Sequence, residues 1–221
     1  MKPLVLAVDT TQETGSLALS RGEEILEEVL LEAPGGFAHV IYGHLAALMQ
    51  RHQLRPDEID CFAAASGPGS FTGVRVGLSC IKGLAEACGK AAAAVSNLRA
   101  MASTGSLPLR APVLDARRGE VYGAVYDFEG VPVAPETVAP FASWLASLPE
   151  GELEFISAMP LRKSLEGTRF ACSRITPAPR SLAGAIARIA GTAFLAGEAL
   201  DPAALDANYV RRSDAELFWK E

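Results

Sequence analysis

With 221 residues, 49% of them hydrophobic, the chain is long enough to bury one core or two small lobes. Its 20 Lys and Arg against 26 Asp and Glu leave a formal charge of −6, which argues against a protein that grips nucleic acid unaided. Four cysteines (Cys61, Cys80, Cys88 and Cys172) show no C-x-x-C pairing, and no apolar run is long enough to span a membrane, so a cytoplasmic protein with reduced thiols is expected.

The first apolar run, Leu4 to Val8, is stopped by Asp9 and reads as a buried strand rather than a signal peptide. A polar turn, Thr10 to Thr14, leads to a strand at Ser16–Ser20, and Arg21-Gly22 turns into another at about Ile25–Leu31. Ala38 to Gln50 has helical spacing, with Val40, Ile41, Leu45, Leu48 and Met49 on one side. After the break at Arg55-Pro56-Asp57, the apolar segment Cys61–Ser66 feeds a glycine-rich run, and a helix from Gly73 to Cys88 precedes a short strand near Ala92–Val95. The order is βββαβα.

An outline of this unit recurs. Leu6-Ala7-Val8-Asp9, a polar turn and Gly15 are echoed by Pro112-Val113-Leu114-Asp115, Ala116-Arg117-Arg118 and Gly119, with a later Gly turn in each copy, at Gly22 and Gly130. Duplication with an incomplete second copy is the expectation, with a first lobe over 1–104 and a second over 105–221.

The run Gly67-Pro68-Gly69-Ser70-Phe71-Thr72-Gly73-Val74-Arg75 admits two readings. A glycine loop that opens a helix suits a phosphate; bare backbone also allows close approach by another part of the chain. The run matches neither G-x-x-x-x-G-K-[ST] nor G-x-G-x-x-G, so packing is the reading that the glycines alone require, with Ser70 and Thr72 available as helix caps. Within the helix, Gly77 and Gly83 each cost about 1 kcal/mol relative to Ala. Gly73, Gly77, Cys80, Gly83 and Ala87 make a small-residue face that fits either the protein's own fold or a second helix.

A duplicated βββαβα lobe with Asp ending its first strand resembles the actin-like ATPase (ASKHA) superfamily, which implies an α/β fold of two lobes, the second truncated. Within it, Val8-Asp9-Thr10, the glycine run, Asp115-Ala116-Arg117-Arg118-Gly119-Glu120-Val121-Tyr122 and Asn208-Tyr209-Val210-Arg211 resemble the TsaB (YeaZ) family. The resemblance implies a non-catalytic subunit that binds and activates TsaD, its larger relative, for threonylcarbamoyl transfer to the adenosine beside the tRNA anticodon. It implies TsaE as a further partner, tRNA met only through the complex, and a homodimer when the chain is alone. Gly69, Ser70, Phe71, Thr72, Gly73, Arg75, Val76, Gly77, Cys80 and Gly83, with the first helix, are the expected partner interface, and Gly77→Leu is expected to abolish stimulation without unfolding the chain.

TsaD holds a metal with a Val-Asn-His-Leu-Glu-Gly-His run. The corresponding run here is Val95-Ser96-Asn97-Leu98-Arg99-Ala100-Met101, which puts Asn97 and Met101 at the ligand positions, and Asn and Met hold a hard divalent ion poorly. No cofactor is therefore expected for this chain, while ATP, Mg2+ and the TsaD-bound metal serve the complex. His39, His44 and His52 have no i, i+4 pairing and are expected to be solvated or packed. Asp9, Thr10 and Asp115 are either a vestigial nucleotide site or turn caps. Arg117, Arg118, Arg211 and Arg212 either make local salt bridges, for example with Glu120 or Asp214, or meet tRNA or a partner. The alternative is an enzyme acting alone, a phosphotransferase or a glycoprotease-type peptidase. Against it, Phe155–Pro160 lacks the glycines of an adenosine turn, and there is no G-x-S-x-G elbow.

Overall fold

The computed structural model describes residues 2–199 and 201–211. The chain forms two compact units. One holds the residues through Ala100 together with Arg180–Ala207; the other holds Met101–Pro179 and the segment from Asn208.

In the first unit, β1 (Leu4–Asp9), β2 (Thr14–Arg21) and β3 (Glu24–Glu32) form an antiparallel meander. Helix α1 (Ile41–Arg51) leads to β4 (Cys61–Gly67), which pairs parallel with β1, and α2 (Phe71–Cys88) leads to β5 (Ala91–Ser96), parallel to β4. The order is β3-β2-β1-β4-β5. Side chains alternate across a strand, so each strand serves two layers. Leu4, Leu6, Val8, Leu17, Leu19, Phe62 and Ala64 form one core with Leu45 and Leu48 of α1 and Val74, Leu78 and Ile81 of α2. The opposite face is covered by α6 (Ala183–Leu195), whose buried Ala183, Gly184, Ala187, Ala190 and Gly191 lie on a sheet face that is itself small, at Ala7, Ala18 and Ala63. Small side chains on both surfaces allow close approach. The start of α6 is fixed by the sheet: the Gly184 N–H donates to the Glu28 carboxylate at 2.7 Å and the Ala183 N–H to Ser16 Oγ at 3.2 Å. An acid there also offsets the positive end of the helix dipole.

After the short α3 (Asn97–Ala102), the second unit repeats the plan with β6 (Leu109–Asp115), β7 (Glu120–Tyr126), β8 (Pro132–Pro140), α4 (Phe141–Ser147), β9 (Leu153–Ser157), α5 (Arg162–Leu165) and β10 (Arg174–Pro177). Its sheet order, β10-β9-β6-β7-β8, is that of the first sheet position for position. Its core is aromatic. Trp144 lies directly on Gly123, where any Cβ would overlap the indole, and stacks edge-on with Phe155, which in turn meets Phe170 edge-on.

Two expectations change. The second copy keeps all five strands; its truncation falls on the helices, which shrink from 11 and 18 residues in the first unit to 7 and 4. The second lobe also does not run unbroken from 105 to the end. Residues 180–207 return to the first unit, because the small apolar face of α6 fits the Ala-rich side of its sheet, and Leu205 enters the core beneath α2.

Candidate functional site

The glycine run is a packing device. Ser70 is the N-cap of α2, its Oγ accepting the Gly73 N–H at 3.2 Å, so the helix begins at Phe71 and Thr72 lies in its first turn rather than capping it. The glycines of this stretch let the β1–β2 turn press onto the helix. A Cβ at Gly69 would stand 2.7 Å from the Thr11 carbonyl oxygen, at Gly73 1.9 Å from that of Thr10, and at Gly77 2.8 Å from Thr10 Oγ1. Hydrogen bonds lock the contact: Thr10 Oγ1 donates to the Gly73 carbonyl at 2.6 Å, and the Ser70 N–H donates to the Thr11 carbonyl at 2.8 Å.

Behind this turn lies a buried polar network. Asp9 Oδ1 accepts the Thr11 N–H at 2.9 Å and the Thr11 hydroxyl at 2.6 Å, which is the turn-capping role. Asn97 Nδ2 donates to Thr11 Oγ1 at 2.7 Å while its Oδ1 accepts the Gly67 N–H at 3.0 Å. Burial pushes the Asp9 carboxyl above its ordinary value, against the opposing hydrogen bonds from Thr11 and Asn97. Asn97 thus joins the ends of three strands, and Met101, the other ligand position, is buried. In the second unit Asp115 is exposed and caps its own turn, accepting the Arg117 N–H at 2.7 Å. Among the described residues no three His, Cys, Asp or Glu side chains are grouped as a metal site requires. His52 pairs with Glu27, Nε2 to Oε2 at 2.7 Å.

The sequence-chosen interface therefore divides. Gly73 and Gly77 are buried against Thr10 and Thr11 and present nothing outward; Gly77→Leu would strike Thr10 inside the fold, so it is no clean test of an interface. Phe71, Thr72, Arg75 and Gly83 are exposed, as are Gly69 and Ser70 ahead of the helix, and Val76 is half-buried. Between α1 and α2 runs a groove of about 410 Å³ lined by Ala38, Ile41, Tyr42, Phe71, Thr72, Arg75, Val76, Ser79 and Cys80. Tyr42 is 57% exposed and Phe71 43%, and the Arg75 guanidinium lies over the Phe71 ring at 3.7 Å. Cys80 forms part of its floor, with its thiol pushed up to about 11 by burial. Tyr42 and Ser79 fall within the helices expected to form the interface but were not singled out from sequence. The signal for Tyr42 was present, as a large aromatic one position off the buried stripe of Ile41, Leu45 and Leu48.

The basic pairs separate as well. Arg117 stands 3.5 Å from Asp115 and is exposed. Arg211 is bound locally, Nη1 to the Ala116 carbonyl at 2.9 Å and Nη2 to the Glu120 carboxylate. Arg212 lies outside the described residues. No helix among the described residues is long and apolar enough to cross a membrane.

Residues 34–195 match the family model for TsaD, tRNA N6-adenosine threonylcarbamoyltransferase. A TsaB protein of tRNA threonylcarbamoyladenosine biosynthesis from Bacillus subtilis is 31% identical over 151 residues, 66% of each chain. One of the same name from Haemophilus influenzae is 35% identical over 53% of this chain and 51% of its own, so the aligned stretches span about two thirds and half of these relatives. The solved structure of YeaZ from Pseudomonas aeruginosa superposes with a TM-score of 0.79 at 24% identity, covering 94% of this chain and 99% of that one, which carries the actin-like fold. The chain belongs to the TsaB (YeaZ) branch of the tRNA N6-adenosine threonylcarbamoyltransferase family.

Proposed function

We propose that this chain works in tRNA threonylcarbamoyladenosine biosynthesis as a non-catalytic subunit that binds TsaD through the outward face of α1 and α2 and favours its active conformation. The observation that carries the reading is the groove between these helices, flanked by exposed Tyr42 and Phe71, on a unit whose core is already closed without them. Aromatic side chains on a firm helical surface are the usual anchors of a protein interface. The roles of Asn97 and Thr11 support the non-catalytic half of the reading. Where TsaD-type chains place a metal ligand, Asn97 ties strand ends together through Gly67 and Thr11. ATP, Mg2+ and the metal belong, in this reading, to the assembled complex, with TsaE joining it and tRNA engaged through it. Activation requires tighter binding to the competent TsaD conformation than to the incompetent one. The same face serves a homodimer, so the two assemblies exclude each other.

The test is tRNA threonylcarbamoylation by cognate TsaD and TsaE, with TsaC to make the threonylcarbamoyl adenylate, with and without this chain. Product is expected to depend on it. Ser79→Arg, which adds charge at an exposed groove position, is expected to abolish both TsaD binding and stimulation while leaving the thermal transition within about 1 kcal/mol of the parent. Full product without the chain, or normal stimulation by the folded variant, would overturn the function or the interface respectively.

A further inference from the structure

The turn between β6 and β7 places three successive residues at positive φ: Arg117 at 64°, Arg118 at 56° and Gly119 at 76°. Such backbone is natural for glycine and unfavourable for arginine, by about 1–2 kcal/mol per residue. Asn or Gly would close the same turn without that strain. The arginines are therefore held there by their surroundings. Inside the turn, Glu120 N–H donates to the Arg117 carbonyl and Ala116 N–H to the Glu120 carbonyl, each at 3.0 Å. Outside it, the half-buried Arg211 grips both flanks, the Ala116 carbonyl on one side and the Glu120 carboxylate on the other, with its guanidinium 5.9 Å from the centre of the Tyr122 ring. The segment is pinned again upstream, where Asn208 donates to Glu136, a carboxylate that also accepts the Tyr126 hydroxyl.

Building on the role in tRNA modification, we propose that Arg211 is a positioning residue: it holds the 117–119 turn so that Arg117 and Arg118 meet RNA phosphates as a pair. Its own guanidinium is committed to Ala116 and Glu120 and makes no contact with RNA. A guanidinium fork matches a phosphate through two parallel hydrogen bonds, and two on one fixed turn reach neighbouring phosphates without first losing the freedom of a mobile loop. On a chain of charge −6 such a contact is local, and it adds to RNA binding by the assembled complex rather than creating it alone.

Two measurements on the full-length chain test this. The first is limited trypsin digestion, read as cleavage after Arg117 and Arg118. Arg211→Lys keeps the charge and loses the fork. Gly119→Ala loses only the backbone freedom, since nothing lies within 4 Å of a Cβ there, and Gly119→Asn retains most of that freedom. The first two variants are expected to be cut at least fivefold faster than the parent and the Asn variant at the parental rate. Parental rates for Arg211→Lys would overturn the brace. The second is the salt dependence of tRNA binding by the complex with TsaD. Replacing Arg117 and Arg118 together by Ala is expected to reduce the slope of log K against log salt by about 1.5–2. Arg211→Lys is expected to weaken binding about threefold to tenfold despite its retained charge. An unchanged slope in the double variant would overturn the RNA contact and leave a protein surface as the partner of this turn. Loss of threonylcarbamoylation dependence in the parent would fall on the proposed function and the RNA contact that builds on it, while the trypsin result decides the brace without it.

Discussion

Gly73 and Gly83 lie on the same helix, and substitution of each by Ala is expected to move stability in opposite directions. At Gly73 the new methyl would sit 1.9 Å from the Thr10 carbonyl oxygen, so the β1–β2 turn must retreat by about 1.5 Å to reach ordinary contact. That movement overpacks a tight junction, at about 1–3 kcal/mol. It also breaks the buried bond from Thr10 Oγ1 to the Gly73 carbonyl, at about 1–3 kcal/mol more. The better helix propensity of Ala returns about 1 kcal/mol, leaving a net loss of about 3 kcal/mol for Gly73→Ala. Gly83 is exposed in the helix interior with nothing within 4 Å, so Gly83→Ala gains about 1 kcal/mol. Equilibrium urea unfolding at two protein concentrations separates folding from self-association. A Gly73→Ala variant within about 1 kcal/mol of the parent, or a Gly83→Ala variant less stable than the parent at low concentration, would refute this.

Three further outcomes follow from buried titratable groups. Burial raises the Asp9 carboxyl, so its contribution to stability is full below its ordinary value of 3.8 and is lost as pH rises through the folded value. Asp9→Asn is therefore expected to gain on the parent between pH 3 and pH 7 in urea unfolding, and parallel profiles would refute this. Glu154 has the opposite sign. Burial alone would raise it, but hydrogen bonds from Thr176, Leu107 and Ser106 together with Arg174 outweigh that and hold it low. Its stabilisation is present above its ordinary value of 4.5 and fades as pH falls through the folded value. Glu154→Gln should lose about 1–3 kcal/mol at pH 7 with the gap narrowing as pH falls below 4.5, so a constant gap would count against it. Burial lifts the Cys61 and Cys80 thiols to about 12 and about 11, so at pH 8 neither should react with a disulfide reagent in the native chain. The exposed Cys172 should supply the fastest phase, and that phase should vanish in Cys172→Ser.

The strands of the first unit were legible because each is a short apolar run closed by a turn residue, and every one lies within two residues of its expected place. The fate of the glycines on α2 was harder to read. A small-residue face says that something approaches closely; the thing that approaches is a turn 63 residues earlier, and no local pattern points from Gly73 to Thr10. Asn97 posed the same problem. Its position identified a departure from a metal-binding run, but its bonds reach Gly67 and Thr11, 30 and 86 residues away. For α6 the difficulty was ambiguity of surface. An Ala- and Gly-rich helix fits any sheet face of small residues, and only the match to Ala7, Ala18 and Ala63, with Glu28 waiting at its first turn, selects the first unit. Arg211 was not legible: the local acid expected for its pair was Asp214, which lies outside the described residues, and the carboxylate that holds it, Glu120, is 91 residues away.

The return of α6 to the first sheet also sets an order of events during synthesis. Strands β1 to β5 emerge from the ribosome long before residues 183–195, and until then one face of their sheet has no cover. The first half of the chain therefore cannot complete its fold as it is made, as domains of contiguous sequence do. It must wait for the last quarter, with an apolar surface open to chaperones or to other nascent copies, and its folding rate is governed by the closure of a loop that includes nearly all of the second unit.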